Sequence, residues 1–326
     1  DFCLSRGLGD VYKRQVHTRQ ACRESSGAVC QYNECPLRAR DGGNMLEILK
    51  SLLFGIVEGI TEWLPVSSTG HMILFDEFVQ LNMSAAFKEM YLIVIQLGAI
   101  LAVVLLFWDQ IWPFQSGAKY DGSNKVLPGW IKENIFVMWL KIVVACVPAV
   151  IIELAAGDYL EALFYNYKTV SIMLIVVGIL FIIVEDWNKK RTAKITSIAD
   201  ITYQTAFLIG VFQLIAAVFP GTSRSGATII GGLILGLSRQ IAAEFTFYLA
   251  IPVMFGASLI KLLKFGFHFT ALEAGVLAVG MIAAFLVSVV VIRFLMGYIK
   301  KHDFKVFGWY RIVLGVVVLA SFAFFL

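Results

Sequence analysis

Long apolar stretches separated by short polar segments make up most of the chain after residue 45. Crossing the roughly 30 Å of hydrocarbon in a bilayer takes about 20 mainly apolar residues in a helix. Six stretches predict such helices, at residues 91–108, 135–155, 170–184, 241–263, 271–295 and 307–325. The pattern therefore predicts an all-α polytopic membrane protein with six transmembrane helices.

Two further apolar stretches, 46–64 and 205–219, are interrupted. Each ends at a proline, Pro65 or Pro220, continues into a cluster of Ser, Thr and Gly, and resumes as a short apolar run. Proline ends a helix, and irregular backbone at membrane depth is tolerated only where protein or a wet cavity surrounds it. The two stretches are therefore predicted to form re-entrant helical hairpins.

The two interrupted stretches resemble each other at a constant offset of 155 residues. This offset pairs Gly55 with Gly210, Glu58 with Gln213, Ile60 with Ile215, Pro65 with Pro220, Ser67 with Thr222 and Ser68 with Ser223. Broken segments at corresponding places in two halves of a membrane protein indicate its binding site. We therefore predict an inverted-topology repeat, with halves at about 45–165 and 200–326.

Loop charge indicates the orientation of the predicted helices. One side of the six spans receives little beyond Lys168 and Lys264, whereas the other receives Lys119, Lys125, Lys132, Lys189, Lys190, Arg191, Lys194, Lys300, Lys301 and Lys305. Cytoplasmic loops carry an excess of Lys and Arg, so the second side is predicted to be cytoplasmic. The first hairpin then enters from outside and the second from the cytoplasm, as an inverted repeat requires.

Composition supports a membrane protein and sets the first 44 residues apart. The chain is 59% hydrophobic and only 15% charged, against about 25% charged in soluble domains. This excludes a soluble cytosolic enzyme or a secreted domain, and a net charge of +4 disfavours a nucleic-acid-binding protein. Residues 1–44 are polar and lack the apolar core of a signal peptide. We expect them to be a disordered or non-native leader, and residues 45–326 to form one membrane domain.

The first interrupted stretch carries two acids and a histidine. Glu58 and Glu62 lie four residues apart and would share one face of a helix. Burying both carboxylates costs free energy unless a divalent cation, a shared proton or an arginine compensates their charge. The alternative is that both glutamates face water at a helix end. His71 follows a Ser-Ser-Thr-Gly run, and it could abstract a proton from Ser68 or water, protonate a leaving oxygen, or attack phosphorus itself.

The second interrupted stretch predicts an anion site. Its glycines, Gly221 among them, let the backbone fold tightly so that successive N–H groups converge on an anion. Arg224 supplies a planar fork that suits phosphate oxygens, and an intramembrane arginine indicates a functional site. The alternative is a structural ion pair with Glu58 or Glu62. The hydroxyl groups that would complete the cradle belong to Thr222, Ser223, Ser225 and Thr228.

Together these two segments resemble a known family. Glu58-x-x-x-Glu62 followed by Pro65-Val-Ser-Ser-Thr-Gly-His71, and the later run from Pro220 to Thr228, are similar to the two signatures of the bacterial undecaprenyl-diphosphate phosphatases, also called bacitracin-resistance proteins. The similarity extends from Met45 to the C-terminus. The resemblance implies hydrolysis of a C55 polyprenyl diphosphate to the monophosphate and inorganic phosphate, which recycles the lipid carrier for peptidoglycan synthesis and confers bacitracin resistance.

The resemblance also implies roles, a cofactor and a location. Glu58 and Glu62 would hold Mg²⁺ or Ca²⁺ or act as acid and base, and nucleophilic or proton-transfer chemistry would come from Ser67, Ser68 and His71. The diphosphate would be bound by Thr69, Gly221, Thr222, Ser223, Arg224, Ser225 and Thr228. The protein would lie in the bacterial plasma (inner) membrane with its site facing the outer, periplasmic side, and it would form a homodimer.

Two other functions fit parts of the sequence. A polyprenyl-phosphate transporter or flippase would share the inverted repeat, but transport alone needs no acid and base. The second type of lipid phosphatase pairs a Ser-Gly-His element with Ser-Arg and a second histidine, and here no histidine follows Arg224 before His268. We therefore favour a phosphatase in which Arg224 and a metal bind the diphosphate between the two loops, while His71 activates Ser68 or a water.

Overall fold

The computed structural model describes residues 41–115, 130–164 and 166–325. Within these ranges the regular structure is helical, and β pairing is confined to two isolated bridges, Phe114–Ile131 and Ile195–Leu237. The helices are α1 (Asp41–Thr61), α2 (Ser68–Phe78), α3 (Ala85–Val94), α4 (Gln96–Leu106), α5 (Trp108–Ile111), α6 (Glu133–Phe164), α7 (Tyr167–Asn188), α8 (Tyr203–Val218), α9 (Arg224–Ile234), α10 (Arg239–Phe265), α11 (Ala271–Tyr298) and α12 (Lys305–Phe325).

Within the part of the chain that the structure describes, five helical segments are long and apolar enough to cross a membrane, which confirms an all-α polytopic membrane protein. They are Ala85–Leu106, Glu133–Gly157, Tyr167–Asn188, Arg239–Phe265 and Ala271–Tyr298. The last four contain the second to fifth predicted stretches, and the first covers the stretch 91–108 except for its last two residues. The sixth predicted stretch lies within α12, a helix of 21 residues. The expected leader falls outside the described residues except for its last four, which belong to the start of α1.

The two interrupted stretches form helix–loop–helix units, which we call hairpin 1 (α1 and α2) and hairpin 2 (α8 and α9). The first helices end at Thr61 and Val218, shortly before Pro65 and Pro220, as the prolines predict. Proline also occurs inside two long helices, Pro148 in α6 and Pro252 in α10. Packed neighbours can satisfy the backbone groups that such a proline frees, so these helices continue.

The hairpins pack in matching ways against helices from the opposite half of the chain. A Cβ atom placed on Gly55 of α1 would lie 2.3 Å from the carbonyl oxygen of Gly280 in α11. A Cβ atom placed on Gly210 of α8 would lie 2.2 Å from the carbonyl oxygen of Ala145 in α6. Only glycine permits such close backbone approach. Each hairpin therefore packs against its neighbouring helix through a glycine, and the two glycines lie at the predicted offset of 155 residues.

A buried carboxylate connects three elements at one end of the bundle. The carboxylate of Glu185, fully buried near the end of α7, accepts bonds from Arg239 Nε at 2.9 Å and Nη2 at 2.5 Å. It also accepts the backbone N–H of Phe304 at 3.0 Å. Charge-assisted bonds of this kind are strong, so they hold the start of α10 and the turn before α12 against α7.

Candidate active site

The two hairpin loops end in the same unusual backbone conformation. Ser67 has a φ of 74° and Ser223 a φ of 68°, and they are the only non-glycine residues with positive φ in the described chain. Each caps the helix that follows, because its hydroxyl accepts the N–H three residues on, Gly70 at 3.4 Å and Gly226 at 3.2 Å. Such strained conformations cluster at functional sites.

These caps show where the repeat departs from the offset of 155. The prolines match at 155, but the capping serines and the glycines they bind match at 156. Ser67 therefore corresponds to Ser223, whereas the sequence comparison paired it with Thr222. The extra residue in hairpin 2 is accommodated beside Gly221, which has a φ of +88°.

The tips of the two hairpins meet through charged and polar contacts. Arg224 Nη2, at the start of α9, donates to Glu62 Oε1 at 3.0 Å, with both side chains largely buried. Ser225 Oγ donates to the backbone carbonyl of Glu62 at 3.3 Å. The arginine is further oriented by Nη1, which donates to the carbonyl of Thr246 at 3.3 Å. Of the compensations considered for the buried acids, an arginine is in contact with Glu62.

Glu58 and Glu62 are both buried, so the alternative that they face water does not hold. Glu58 is 1% exposed and Glu62 is 8% exposed, and their carboxyl groups interact with each other. Glu58 Oε1 is buried without a hydrogen-bond partner among the described residues. A buried acceptor left unsatisfied is costly, so this oxygen is available to a ligand.

Ser68 lies beside the carboxylate and not beside the histidine. Its hydroxyl donates to Glu62 Oε2 at 2.7 Å, so Glu62 links Ser68 to Arg224. The ring nitrogens of His71 are engaged elsewhere, Nδ1 with the carbonyl of Ser67 at 2.8 Å and Nε2 with the hydroxyl of Tyr310 at 2.7 Å. His71 therefore makes no hydrogen bond to Ser68 in the structure, and the partner of the Ser68 hydroxyl is the carboxylate of Glu62.

The tautomer of His71 follows from these partners. A carbonyl oxygen can only accept, so Nδ1 carries the proton and, in the neutral ring, Nε2 accepts from Tyr310. The rings of His71 and Tyr310 are also nearly parallel, with an interplanar angle of 5° and centroids 5.6 Å apart. The basic nitrogen of His71 is thus held by a half-exposed tyrosine of α12.

The predicted phosphate-binding residues divide into those that brace the loop and those that remain open. Thr228 donates to the carbonyl of Arg224 at 3.0 Å and contacts Thr246, so it supports α9. Ser223 and Ser225 pair with each other at 3.1 Å. Thr222 Oγ1 is buried without a partner among the described residues, so it is available to a ligand as well.

The remaining predicted residues contribute in other ways. Thr69 is half-buried in the first turn of α2, and the structure gives it no side-chain bond within the described residues. Gly221 is fully buried, and its backbone passes against Val170 of α7. Gln213, the counterpart of Glu58 in the repeat, is 2% exposed and has neither side-chain atom paired within the described chain. Sequence reasoning noted this position only as a match in the alignment.

Arg311 joins the two loops, a role that sequence reasoning missed. This residue of α12 is fully buried, and Nη1 donates to the carbonyl of Pro65 at 3.2 Å. Nη2 donates to the carbonyls of Gly221 at 2.9 Å and Thr222 at 2.8 Å. The signal was present, because an arginine inside an apolar helix indicates a functional position by the argument applied to Arg224.

Glu58 and Glu62 fit a divalent cation that is coordinated partly by the protein and partly by the substrate. Within the described residues no group of three or more His, Cys, Asp or Glu side chains is close enough to hold a metal by itself. Mg²⁺, however, is usually held by one or two carboxylates plus substrate phosphate oxygens and water. The unpartnered Glu58 Oε1 beside Glu62 supplies such a pair.

We expect Gly221→Ala to destabilise the protein. A Cβ atom at residue 221 would lie 2.5 Å from the carbonyl oxygen of Val170, and alanine is also strained at a φ of +88°. Gly266→Ala is the matched control, because Gly266 has the same φ but nothing within 4 Å. The strain common to both costs about 1–3 kcal/mol. Thermal unfolding in detergent should give a lower Tm for Gly221→Ala, and equal Tm values would contradict this.

We expect Arg311→Met to separate the loops. Three buried carbonyl groups would lose their donor, at a cost of about 1–3 kcal/mol each. A displacement of about 1 Å at the reacting groups can lower turnover about 100-fold. Arg293→Met, at an exposed position of α11, is the control and should change neither Tm nor turnover. Wild-type Tm and turnover in Arg311→Met would contradict the role of this arginine.

Comparison with known proteins assigns the family. The family model described as bacitracin resistance protein BacA matches residues 51–317. The "Undecaprenyl-diphosphatase" of Desulfitobacterium hafniense is 62% identical over 86% of this chain and 97% of its own length. The "Undecaprenyl-diphosphatase 1" of Clostridium acetobutylicum is 59% identical over 85% of this chain and 98% of its own length. The "Undecaprenyl-diphosphatase" of Enterococcus faecalis is 60% identical over 85% of this chain and 97% of its own length. The chain therefore belongs to the bacitracin resistance protein BacA family.

Proposed function

We propose that this protein hydrolyses undecaprenyl diphosphate to undecaprenyl phosphate and inorganic phosphate. The observation that carries the proposal is the chain of contacts from Ser68 through Glu62 to Arg224, which joins a hydroxyl, a base and a phosphate-binding guanidinium across the two loops. This reaction recycles the lipid carrier of peptidoglycan synthesis and gives the family its bacitracin resistance. It is a phosphoric anhydride hydrolysis, which relies mainly on positioning and charge stabilisation.

The contacts support Ser68 as the nucleophile. Glu62 Oε2 takes the hydroxyl proton while Ser68 Oγ forms a bond to the terminal phosphorus. The bond from that phosphorus to the bridging oxygen breaks, and undecaprenyl phosphate leaves. Water then attacks the phosphoserine, inorganic phosphate departs, and Ser68 recovers its proton from Glu62. Arg224 stabilises charge on the phosphoryl oxygens throughout, because its fork matches their geometry.

His71 contributes to the same reaction through its contacts with the Ser67 carbonyl and with Tyr310. Because Nδ1 is fixed on the Ser67 carbonyl, the ring presents Nε2 to Tyr310 at the protein surface. In this arrangement His71 and Tyr310 form a proton-transfer pair that can position water or protonate a leaving oxygen. Of the two targets expected for His71 from the sequence, Ser68 or a water, these contacts favour the water.

The cofactor we propose is Mg²⁺ or Ca²⁺ held by Glu58 and Glu62. When bound, the cation would neutralise negative charge on the diphosphate. Glu58→Gln should raise the Mg²⁺ concentration for half-maximal phosphate release at least about tenfold, since even supporting residues of metal sites change affinity 10- to 100-fold. Glu89→Gln, at an exposed glutamate paired with Lys261, is the control. An unchanged magnesium dependence in Glu58→Gln would exclude it as a ligand.

The proposed topology has six spans and two re-entrant hairpins in an inverted repeat. The matching caps at Ser67 and Ser223, and the matching glycine contacts of Gly55 and Gly210, support the repeat. The uneven loop charges support a plasma-membrane orientation with hairpin 1 entering from outside. We propose that the site opens to the outer side of the membrane, the side from which hairpin 1 enters.

The function is tested by phosphate release in detergent micelles, where no two-sided membrane exists. The purified full chain, given undecaprenyl diphosphate and Mg²⁺, should release inorganic phosphate over many turnovers. A polyprenyl-phosphate transporter would release none under these conditions. The same preparation should lose activity on chelation and regain it when Mg²⁺ is restored. Failure to release phosphate from a folded preparation would overturn the proposed function.

A further inference from the structure

A cavity with several basic side chains in its lining lies apart from the hairpin loops. It has a volume of about 740 Å³ and is formed by the end of α7, the segment after it, the turn between α9 and α10, and the end of α11. We call it the basic pocket, because its lining contains five basic side chains and no acidic one, namely Lys190, Arg191, Lys194, Arg239 and Lys300. None of its lining residues belongs to the candidate active site.

Most of this positive charge is not neutralised by the protein. Arg239 is paired with the buried Glu185, and Arg191 lies over the ring of Trp187 with its guanidinium carbon 3.5 Å from the centroid. The three lysines of the pocket are Lys190, Lys194 and Lys300. None of their ammonium groups has a carboxylate within 4.0 Å among the residues that the structure describes. Several like charges around one cavity repel each other unless an anion enters it.

The basic pocket lies at the level where membrane-spanning helices end. Tyr167–Asn188 and Ala271–Tyr298 are both candidate spans, and the pocket begins where each of them stops. Beside it Trp187 is 42% exposed and Ile234 is 38% exposed. Tryptophan is enriched at the boundary between acyl chains and water. Basic side chains therefore line the cavity, and exposed apolar side chains lie beside it, as a site for an acidic lipid would require.

We propose that the basic pocket binds the headgroup of an acidic phospholipid. A phosphodiester would meet three free ammonium groups and the guanidinium of Arg191, while its acyl chains would lie along Trp187 and Ile234. Basic pockets between membrane helices on the cytoplasmic side are suited to acidic lipid headgroups, and the loop charges place this face there. Free phosphate would use the same cations but would gain nothing from the apolar side chains beside the pocket.

The test is lipid retention by the full chain. Protein in micelles with equal amounts of phosphatidylglycerol and phosphatidylcholine is transferred to native mass spectrometry, and retained lipid is counted. The pocket variant K190Q/K194Q/K300Q should bind phosphatidylglycerol about 100-fold more weakly, since each basic residue near an anionic lipid contributes roughly fivefold. The control K132Q/K189Q/K301Q removes the same charge from the same face outside the pocket and should bind like the wild type.

The outcomes separate this proposal from the hydrolytic function. Selective retention of phosphatidylglycerol by the wild type and the control, lost in the pocket variant, supports the site. Equal retention of both lipids, equal loss in both variants, or displacement by inorganic phosphate alone would overturn it. Phosphate release from undecaprenyl diphosphate in neutral detergent should be the same in all three proteins, because none of the substituted lysines lies in the hairpin loops.

Discussion

Ser68→Ala is expected to lower phosphate release from undecaprenyl diphosphate by about 10⁴-fold or more, because removing a nucleophile has effects of this size or larger in comparable hydrolases. The fold should survive, since Ser68 makes one side-chain bond, to Glu62, and that carboxylate keeps its partner Arg224. The measurement is inorganic phosphate released per minute by detergent-solubilised protein, at a substrate concentration that saturates the wild type.

Ser288→Ala is the matched control for this experiment. Ser288, like Ser68, is a serine with one side-chain bond, here to the carbonyl of Gly59; it is fully buried, whereas Ser68 is half-buried, and it lies outside the site. It should retain wild-type turnover. Acid quenching during turnover of substrate labelled in the terminal phosphate should trap label on the wild type and none on Ser68→Ala. A rate within tenfold of the wild type in Ser68→Ala would instead assign the attack to water.

Arg224→Ala is expected to lower turnover by about 10³-fold or more, the size of effect that an arginine contributes to phosphoryl transfer. The variant also leaves Glu62 buried without its cation, and breaking such a pair costs about 3–5 kcal/mol. Lower turnover could therefore reflect a smaller folded fraction. Activity must accordingly be expressed per folded molecule, with the folded fraction taken from gel filtration and thermal unfolding.

Arg239→Ala separates the two effects of Arg224→Ala. It breaks another ion pair, in which Glu185 is fully buried and the Arg239 side chain is 34% exposed, so it should lower the Tm while leaving turnover per folded molecule unchanged. The turnover of Arg224→Lys per folded molecule should lie between those of the wild type and Arg224→Ala. Lysine restores the positive charge but not the planar guanidinium that binds two oxygens. Wild-type turnover per folded molecule in Arg224→Ala would remove this residue from the reaction.

The helices and the meeting of the two loops were predictable from the sequence, because each follows from a large free-energy cost that a short segment reveals. These costs are the exposure of apolar residues to water, proline inside a helix, and buried acids without a cation. Apolar length alone predicts the spans, and Pro65 and Pro220 predict the breaks. Two acids within an apolar segment need a cation nearby, and Arg224 lies in the only other segment with the same break. The structure joins Glu62 to Arg224 for this reason.

Contacts that depend on the packing of distant helices were not predictable in the same way. Nothing within hairpin 1 indicates that Tyr310 of α12 takes the basic nitrogen of His71. The one-residue shift of the repeat at the caps follows from the positive φ of Gly221 and Ser223, which spacing does not encode. Arg311 was overlooked although its burial in an apolar helix is the same signal that identified Arg224.

The most direct test is an experimental structure of the full chain with a diphosphate analogue whose bridging oxygen is replaced by a methylene group, so that hydrolysis stops. The terminal phosphorus should lie opposite Ser68 Oγ, with phosphoryl oxygens within hydrogen-bond distance of Arg224 and both hairpin loops around it. A diphosphate bound anywhere else, with Ser68 and Arg224 both out of its reach, would contradict the account.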